Sequence, residues 1–284
     1  MSMTGKTVLV TGATNGIGKI TALELAKMGA RVLLVARDPS KGAATIEEIK
    51  RAIPDANLEL LLADLSLMSD TRKLAEEVKA RVQMLDVLVN NAGAIFTERK
   101  VTSEGLEQTF ALNHMNYFLL TNLLLGELKA APAARVVNVS SEAHRYGRVN
   151  FDDLQSLKGF SGMGVYGTSK LMNILFSNAL TRRLEGTQVV TNALHPGVVA
   201  TGFAQSSTGP WKWLFGLLRY IPGAMIPPER GAETSVLLAS SDAVQGVTGA
   251  YWSNKRIAKA SASSQDRDAQ ERLWLESAKI AGLI

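Results

Sequence analysis

The chain has 284 residues, of which 46% are hydrophobic and 20% charged, and its formal net charge is +5 at pH 7. This composition is typical of a folded globular protein, and the lysines and arginines are scattered without the basic run of a nucleic-acid-binding surface, so no nucleic-acid partner is expected. The absence of cysteine excludes disulfides, thiolate metal sites and cysteine nucleophiles, and three separated histidines predict no metal site.

The first predicted element is a buried parallel strand over residues 7–11. It begins so early that we expect no signal peptide or membrane anchor before it, and a cytoplasmic location by default. A glycine-rich turn follows and opens into a helix that stops at Gly29. Such a turn lets a pyrophosphate approach the amides and positive dipole end of the helix, although a tight turn that only needs glycine gives the same pattern. The nucleotide interpretation predicts contacts at Gly12, Thr14, Asn15, Gly16, Ile17 and Gly18.

The end of the second predicted strand, residues 31–36, bears on the choice of cofactor. Enzymes that use NAD usually place a carboxylate there for the ribose 2′-hydroxyl, whereas those that use NADP place a cation for the 2′-phosphate. Ala36 is neutral and Arg37 is cationic, so we predict NADP, with NAD less favoured and with Lys41 as a second phosphate contact. The carboxylate of Asp38 precedes a proline and is expected to cap the next helix.

Two further strands are predicted over residues 58–63 and 85–89. Asp64 and Leu65 lie just past the first of them, where ligands bind in open parallel sheets, so Asp64 is expected either to contact the adenine or to cap a helix. Paired asparagines follow the second strand and can tie neighbouring strands together beside the cofactor cleft. The cofactor contacts predicted there are Asn91, Ala92 and Gly93.

A long helix is then predicted over residues 103–129, and it carries Asn113. An asparagine inside an apolar helix is costly unless its hydrogen bonds are satisfied, so it belongs to a site, to the surface or to an interhelical hydrogen bond. The fifth strand, residues 135–139, ends in Ser140 and Ser141.

Tyr166 and Lys170 begin an apolar run with helical spacing, and residues four apart share one face of a helix. A free tyrosine has a pKa of about 10, and an adjacent cation lowers it. Tyr166 could then act as a general acid or base, although an incidental surface pair gives the same spacing. The successive strand and helix units predict an α/β fold. We expect a Rossmann-type doubly wound parallel sheet of about seven strands with helices on both faces, as one domain over residues 1–284.

Taken together and in order, these motifs resemble the short-chain dehydrogenase/reductase family. The motifs are the loop at residues 11–18, Asp64, residues 90–93, Asn113, Ser141, the Tyr166 and Lys170 pair, and residues 195–197. Within that family the stretches 113–121, 136–141, 151–156 and 195–199 are most similar to the retinol dehydrogenase-like branch.

The resemblance implies hydride transfer between NADP(H) and the carbonyl or alcohol carbon of an apolar aldehyde or ketone. Tyr166 would pass the proton, Ser141 would hydrogen-bond the substrate oxygen, and Lys170 would bind the nicotinamide ribose and lower the pKa of Tyr166. Asn113 would hold a water, and Ser140 is a further candidate for a cofactor contact. A sixth strand is predicted over residues 188–194, and the segment after it would contact the nicotinamide through Pro196, Gly197, Val199 and Thr201.

Two departures from relatives limit what the resemblance implies. Eukaryotic retinol dehydrogenase-like enzymes commonly have an amino-terminal hydrophobic anchor that we do not find here. Protochlorophyllide reductases use an active-site cysteine, which this chain lacks. A nucleotide-binding regulator that has lost its chemistry is a further alternative, which the intact Ser141, Tyr166 and Lys170 disfavour.

An apolar segment at about residues 203–228 is expected to be a lid over the substrate, a core helix or a peripheral membrane contact. It is too short between its prolines to span a bilayer. The lid interpretation predicts substrate contacts at Phe203, Trp213 and Phe215, beside Ser141 and Tyr166. The sequence leaves the physiological substrate, the preferred reaction direction and the formation of a homo-oligomer open.

Overall fold

Eight strands form one sheet in the computed structural model of the chain, which describes residues 2–199 and 225–284. The strand order is β3-β2-β1-β4-β5-β6-β7-β8, in which neighbours up to β7 pair in parallel and the two-residue β8 pairs antiparallel with β7. The predicted doubly wound parallel sheet is confirmed, with β8 as an addition. The strands are β1 (Thr7–Thr11), β2 (Arg31–Ala36), β3 (Leu58–Leu62), β4 (Val87–Asn90), β5 (Arg135–Val139), β6 (Val190–His195), β7 (Tyr251–Ser253) and β8 (Arg256–Ile257).

Helices connect these strands. In the described ranges they are α1 (Gly16–Lys27), α2 (Pro39–Ala52), α3 (Met68–Arg81), α4 (Gln108–Phe110), α5 (Asn116–Leu123), α6 (Leu125–Ala130), α7 (Gly162–Arg183), α8 (Pro228–Ser240) and α9 (Arg267–Ile280). A π-helical turn, Ala111–Met115, joins α4 to α5, and a short 3-10 helix, Glu142–Tyr146, follows β5. None of the helices within these ranges combines the length and apolar character needed to cross a bilayer.

The sheet has a hydrophobic core on each face, which explains why its strands are apolar throughout. In β1, Val8 and Val10 pack in one core with Leu25 of α1 and Leu238 of α8. Leu9 points the other way, because side chains alternate along a strand, and it packs in the core that contains Phe118 and Leu175 of α5 and α7.

The long helix predicted from residue 103 begins later than expected. Residues 101–107 instead fold back through a bridge between Val101 and Glu107. The buried Glu107 carboxylate then accepts the backbone N–H groups of Thr109 and Phe110, and so starts α4 at Gln108. The start was mispredicted because this cap depends on a turn that the apolar spacing does not encode.

Buried side-chain hydrogen bonds tie β4, β5 and β6 together, and Asn90 takes part in them as expected for the asparagine pair. The side chain of Asn90 donates to Asn138 Oδ1 at 2.9 Å, and Asn138 in turn donates to Thr191 Oγ1 at 3.1 Å. Asn90, Asn138 and Thr191 are fully buried, where polar groups need hydrogen-bond partners. Asn90 also donates to Thr121 Oγ1 at 3.0 Å, and the Thr191 and Ser177 hydroxyls lie 3.2 Å apart.

We therefore expect Asn138→Ala to destabilise the protein by about 1–3 kcal/mol, because it removes buried hydrogen bonds that join β5 to both neighbouring strands. Urea unfolding checks this value, with Asn57→Ala at an exposed position as the control. Equal unfolding free energies for the two variants would contradict the role of the amide chain.

Candidate active site

A cavity of about 420 Å³ lies where the strand order reverses between β1 and β4. At such a reversal the loops after the two strands leave in opposite directions and open a crevice at their carboxyl ends. Of the predicted site residues, those whose atoms line this cavity are Gly12, Thr14, Asn15, Gly16, Ile17, Arg37, Asp64, Leu65, Asn91, Ala92, Gly93, Ser141, Tyr166, Lys170, Pro196, Gly197 and Val199.

The glycine-rich loop forms the floor of this crevice. Gly12 and Gly16 have φ angles of +64° and +51°, which side-chain-bearing residues rarely adopt. Gly18 lies behind the loop, where a Cβ would overlap the carbonyl oxygen of Gly12 and the side chain of Asn91. Asn91 Nδ2 donates to Thr11 O at 2.8 Å, so the asparagine predicted to wall the cleft also fixes the start of the loop.

Helix α1 presents its amino terminus to this cavity. Asn15, which precedes the helix, makes no side-chain hydrogen bond that caps it. The first backbone N–H groups of a helix have no intrahelical partner, and the helix dipole is positive at this end. The loop and the helix end therefore suit an anionic group such as a pyrophosphate.

Arg37 and Asp64 lie at one end of the cavity, next to the carboxyl ends of β2 and β3. The Arg37 side chain is 70% exposed, and its Nη1 is 4.0 Å from Asp64 Oδ2. Asp64 Oδ1 accepts the backbone N–H of Ser66 at 2.9 Å and the Ser66 hydroxyl at 2.7 Å. Arg37 is thus partly balanced by one carboxylate while its guanidinium remains open to solvent.

Two predictions near this end have different outcomes. Asp64 does not cap α3, because the Glu104 carboxylate accepts the N–H groups of Met68 and Ser69 from a distant loop. Asp38 does cap α2, accepting the N–H of Lys41 at 3.1 Å as predicted. The exposed Lys41 side chain itself lies outside the cavity lining.

Tyr166 and Lys170 lie one turn apart on α7, and both are buried at the opposite end of the cavity. Lys170 Nζ donates to the backbone oxygen of Val139 at 3.0 Å and lies 5.7 Å from the centre of the Tyr166 ring. Gly93 leaves room for this ammonium group, because a Cβ there would be 3.3 Å from Nζ. The pair is therefore part of the cleft wall and not an incidental surface pair.

Burial shifts the pKa values of both groups. It lowers the pKa of Lys170 to about 7, because the ammonium form loses its hydration. It also raises the pKa of Tyr166, against the opposing effect of a hydrogen bond with the Ser141 side chain. The expected lowering of the Tyr166 pKa by Lys170 is thus wrong for the protein alone, since desolvation of the phenolate is the larger effect.

Asn113 lies behind the cavity, in the π-helical turn. Its side chain makes a reciprocal pair of 2.9 Å hydrogen bonds with the backbone N–H and C=O of Ala94. It also donates to Ser169 Oγ at 3.0 Å, and Ser169 donates to the carbonyl oxygen of Tyr166 at 2.7 Å. Asn113 therefore joins the loop after β4 to the turn of α7 that carries the tyrosine, and π-helical turns often occur at functional sites.

Ser140 and Ser141 have different environments directly after β5. The Ser140 hydroxyl is buried and donates to the carbonyl oxygen of Lys170 at 2.7 Å, so it holds α7 against the sheet, although Ser140 also lines the cavity. Ser141 begins the 3-10 helix, and its Oγ accepts the N–H of Ala143 at 3.2 Å. Of the two, Ser141 is the serine that contacts Tyr166.

Several residues that line the cavity were not predicted. They are Val35, Ala36, Ala63, Ala94, Phe96, Leu112 and Val139. Most of them lie at or just after the carboxyl ends of predicted strands, where ligands bind in parallel sheets. Phe96 and Leu112 belong to no sequence pattern that indicates a site. The predicted contacts Thr201, Phe203, Trp213 and Phe215, with most of the proposed lid, lie outside the described residues.

Comparisons with known proteins agree with the fold and the site described above. Residues 6–210 match the family model for short chain dehydrogenases. The chain belongs to the short-chain dehydrogenase family. It is 39% identical to retinol dehydrogenase 14 from Homo sapiens over 99% of this chain and 88% of the relative, so the predicted retinol dehydrogenase-like branch is confirmed.

Solved structures agree with the family assignment. An uncharacterized protein from Mycobacterium Paratuberculosis superposes with a TM-score of 0.80 at 31% identity, over 99% of this chain and 95% of that one. The Pseudomonas aeruginosa RhlG/NADP active-site complex superposes with a TM-score of 0.70 at 29% identity, over 88% and 94% of the two chains. Short-chain dehydrogenases are oxidoreductases that bind a nicotinamide cofactor, and the glycine loop and cavity described above fit such a group.

The lowered pKa of Lys170 predicts a pH dependence of stability. Between about pH 7 and the ordinary lysine pKa of about 10.4, the unfolded chain binds a proton at Lys170 that the folded protein does not. The free energy of unfolding therefore rises with pH in this window.

We expect wild type to gain stability relative to Lys170→Met from pH 7 to pH 9, as measured by urea unfolding. Lys158→Met, at an exposed lysine, is the control and should keep the wild-type pH dependence. A constant difference between wild type and Lys170→Met would contradict the shift.

Proposed function

We propose that the protein is an NADP(H)-dependent oxidoreductase that interconverts an apolar aldehyde or ketone and its alcohol. The observation that carries the proposal is the convergence of Ser141, Tyr166 and Lys170 in one cavity with the glycine-rich loop and the amino terminus of α1. Membership of the family and the similarity to retinol dehydrogenases support the reaction class.

The cofactor would be held by groups along the whole cavity. The N–H groups at the start of α1 and the loop around Gly12 would bind the pyrophosphate. Arg37 would bind the 2′-phosphate, because it is exposed at the end of β2 where an NAD enzyme carries a carboxylate. Gly93, Pro196 and Gly197 would contact the nicotinamide half. When bound, the cofactor supplies or accepts the hydride.

Tyr166 would move the proton at its phenolic oxygen. Its raised pKa keeps the phenol protonated near neutral pH, which is the form that carbonyl reduction requires of a general acid. The Ser141 hydroxyl, which contacts this phenol, would hydrogen-bond the same substrate oxygen. Lys170 would bind the cofactor ribose and, in its protonated form, stabilise negative charge that develops on Tyr166. Asn113 would hold the turn of α7 that carries the tyrosine in place.

Apolar residues beside this end of the cavity support an apolar substrate. Phe96 and Leu112 line the cavity with Ala94, and Ile95 packs against Tyr166 in a small cluster. Retinol dehydrogenases are named for an apolar alcohol, which agrees with this lining. We propose retinal-like, aliphatic or aromatic carbonyl compounds as the substrate class.

Replacement of Tyr166 by phenylalanine keeps the ring and removes the proton. We expect the turnover of retinal with NADPH to fall by at least about a hundredfold, while NADPH binding is retained. Stopped-flow absorbance and calorimetry measure the two effects separately. A Tyr166→Phe variant with full activity would defeat this mechanism. A wild-type protein that binds NADPH but reduces none of the retinal, aliphatic, aromatic and cyclic carbonyl compounds would favour a nucleotide-binding regulator without catalytic activity.

The role of Arg37 predicts a preference between the two cofactors. A 2′-phosphate forms charge-assisted hydrogen bonds, so NADPH should bind more tightly than NADH by about 1.5–3 kcal/mol. Arg37→Ala should remove most of this difference and leave NADH affinity unchanged, which makes NADH the internal control. Calorimetric titration of both proteins decides the question, and equal affinities in wild type would overturn the assignment.

A further inference from the structure

The peptide group between Ser141 and Glu142 is held on both sides by imidazole rings. His144 Nδ1 lies 2.7 Å from its carbonyl oxygen, that of Ser141. The N–H of the same peptide group, that of Glu142, donates to His195 Nδ1 at 3.1 Å. The two histidines come from different parts of the chain, one from the 3-10 helix after β5 and the other from the end of β6.

The hydrogen-bond partners assign a tautomer to each ring. The backbone N–H of Ser261 donates to His144 Nε2 at 3.0 Å, so Nε2 of this neutral ring is the acceptor and Nδ1 carries the proton that Ser141 O accepts. His195 accepts at Nδ1, so its proton is on Nε2. Both rings are thus used in their neutral forms and with opposite tautomers.

The surroundings keep these rings in place. His144 is fully buried and packs against the ring of Tyr251, with 4.9 Å between ring centres. Among the residues that the structure describes, the charged and titratable groups near the two rings are Glu142, Arg145 and Tyr251. Burial lowers the pKa of both histidines, which agrees with neutral rings at neutral pH.

We propose that His144 and His195 are positioning residues that fix the peptide group after Ser141, and through it direct the Ser141 hydroxyl toward Tyr166. The inference rests on the proposed function of Ser141 in the reaction. The Ser141 hydroxyl lies only a few bonds from the clamped peptide group, so rotation of that group would swing the hydroxyl away from the phenol. Misplacement of a reacting group by about 1 Å can cost on the order of a hundredfold in rate.

Amide substitutions separate the clamp from general packing. In His144→Asn and His195→Asn, the side-chain amide places a donor or acceptor near the position of Nδ1, so either variant can still hold the peptide group. In His144→Gln and His195→Gln, the amide lies near the position of Nε2, so the hydrogen bond to the peptide group is lost. We expect each Gln variant to lower kcat for retinal by about tenfold or more with the KM for NADPH unchanged, and each Asn variant to recover most of that loss.

The dependence on Ser141 distinguishes positioning from a structural role. In a Ser141→Ala background the Gln substitutions should cause little further loss, because the group that they position is gone. An equal further loss in both backgrounds would overturn the clamp. Ser141→Ala with full activity would overturn both the proposed role of Ser141 and the clamp. An impaired Ser141→Ala beside fully active Gln variants would overturn the clamp alone.

The tautomers of the two rings can also be observed directly in the wild-type protein. Nitrogen-15 NMR of the histidine rings at pH 7.5 should show a neutral His144 with its proton on Nδ1 and a neutral His195 with its proton on Nε2. Resonances would be assigned by comparison with the Asn variants. The opposite tautomer or a charged ring at either position would overturn the clamp.

Discussion

The hydrogen bond from Lys170 Nζ to the carbonyl oxygen of Val139 is the interaction on which the site depends most. It places an ammonium group in the protein interior and joins the middle of α7 to the end of β5. Because Ser141 follows Val139 by two residues and Tyr166 precedes Lys170 by one turn, the same contact sets the distance between the serine and the tyrosine. The hydroxyl of Ser140, which donates to the carbonyl oxygen of Lys170, strengthens this junction.

Burial at this junction has opposite effects on its two titratable groups. It makes the phenol a weaker acid and the ammonium a stronger one, since each neutral form needs less hydration than its charged form. A protonated Tyr166 suits donation to a carbonyl oxygen, and a Lys170 that titrates near neutrality is sensitive to any charge that binds beside it. The proton chemistry of the site is therefore coupled to what occupies the cavity.

Much of the fold could be predicted because it is encoded locally. The apolar runs of β1, β2 and β5 have the predicted bounds, and the strand-turn-helix pattern located the glycine loop. The start of α4 could not be predicted, because Glu107 caps it after a turn that the apolar spacing does not show. The cap of α3 was missed for a similar reason, since Glu104 reaches it from more than thirty residues away.

The chemistry of the site was less predictable than its residues. Spacing along α7 placed Tyr166 beside Lys170, but the direction of the Tyr166 pKa depends on burial by the whole fold. The histidines were counted as scattered, yet the pairing of β5 with β6 brings His195 to the peptide group that His144 also contacts. Such convergence follows from strand order, which a pattern of residues along the chain does not contain.

Transfer of deuterium tests the central claim most directly. The protein would be incubated with retinal and NADPH deuterated at C4 of the nicotinamide, and the product analysed by mass spectrometry, with each face of the ring labelled in turn. The account predicts retinol that carries one deuterium on its carbinol carbon from one of the two labelled cofactors. Retinol without deuterium from either cofactor would contradict it. So would the absence of an alcohol product from retinal and from aliphatic, aromatic and cyclic carbonyl compounds while NADPH is bound.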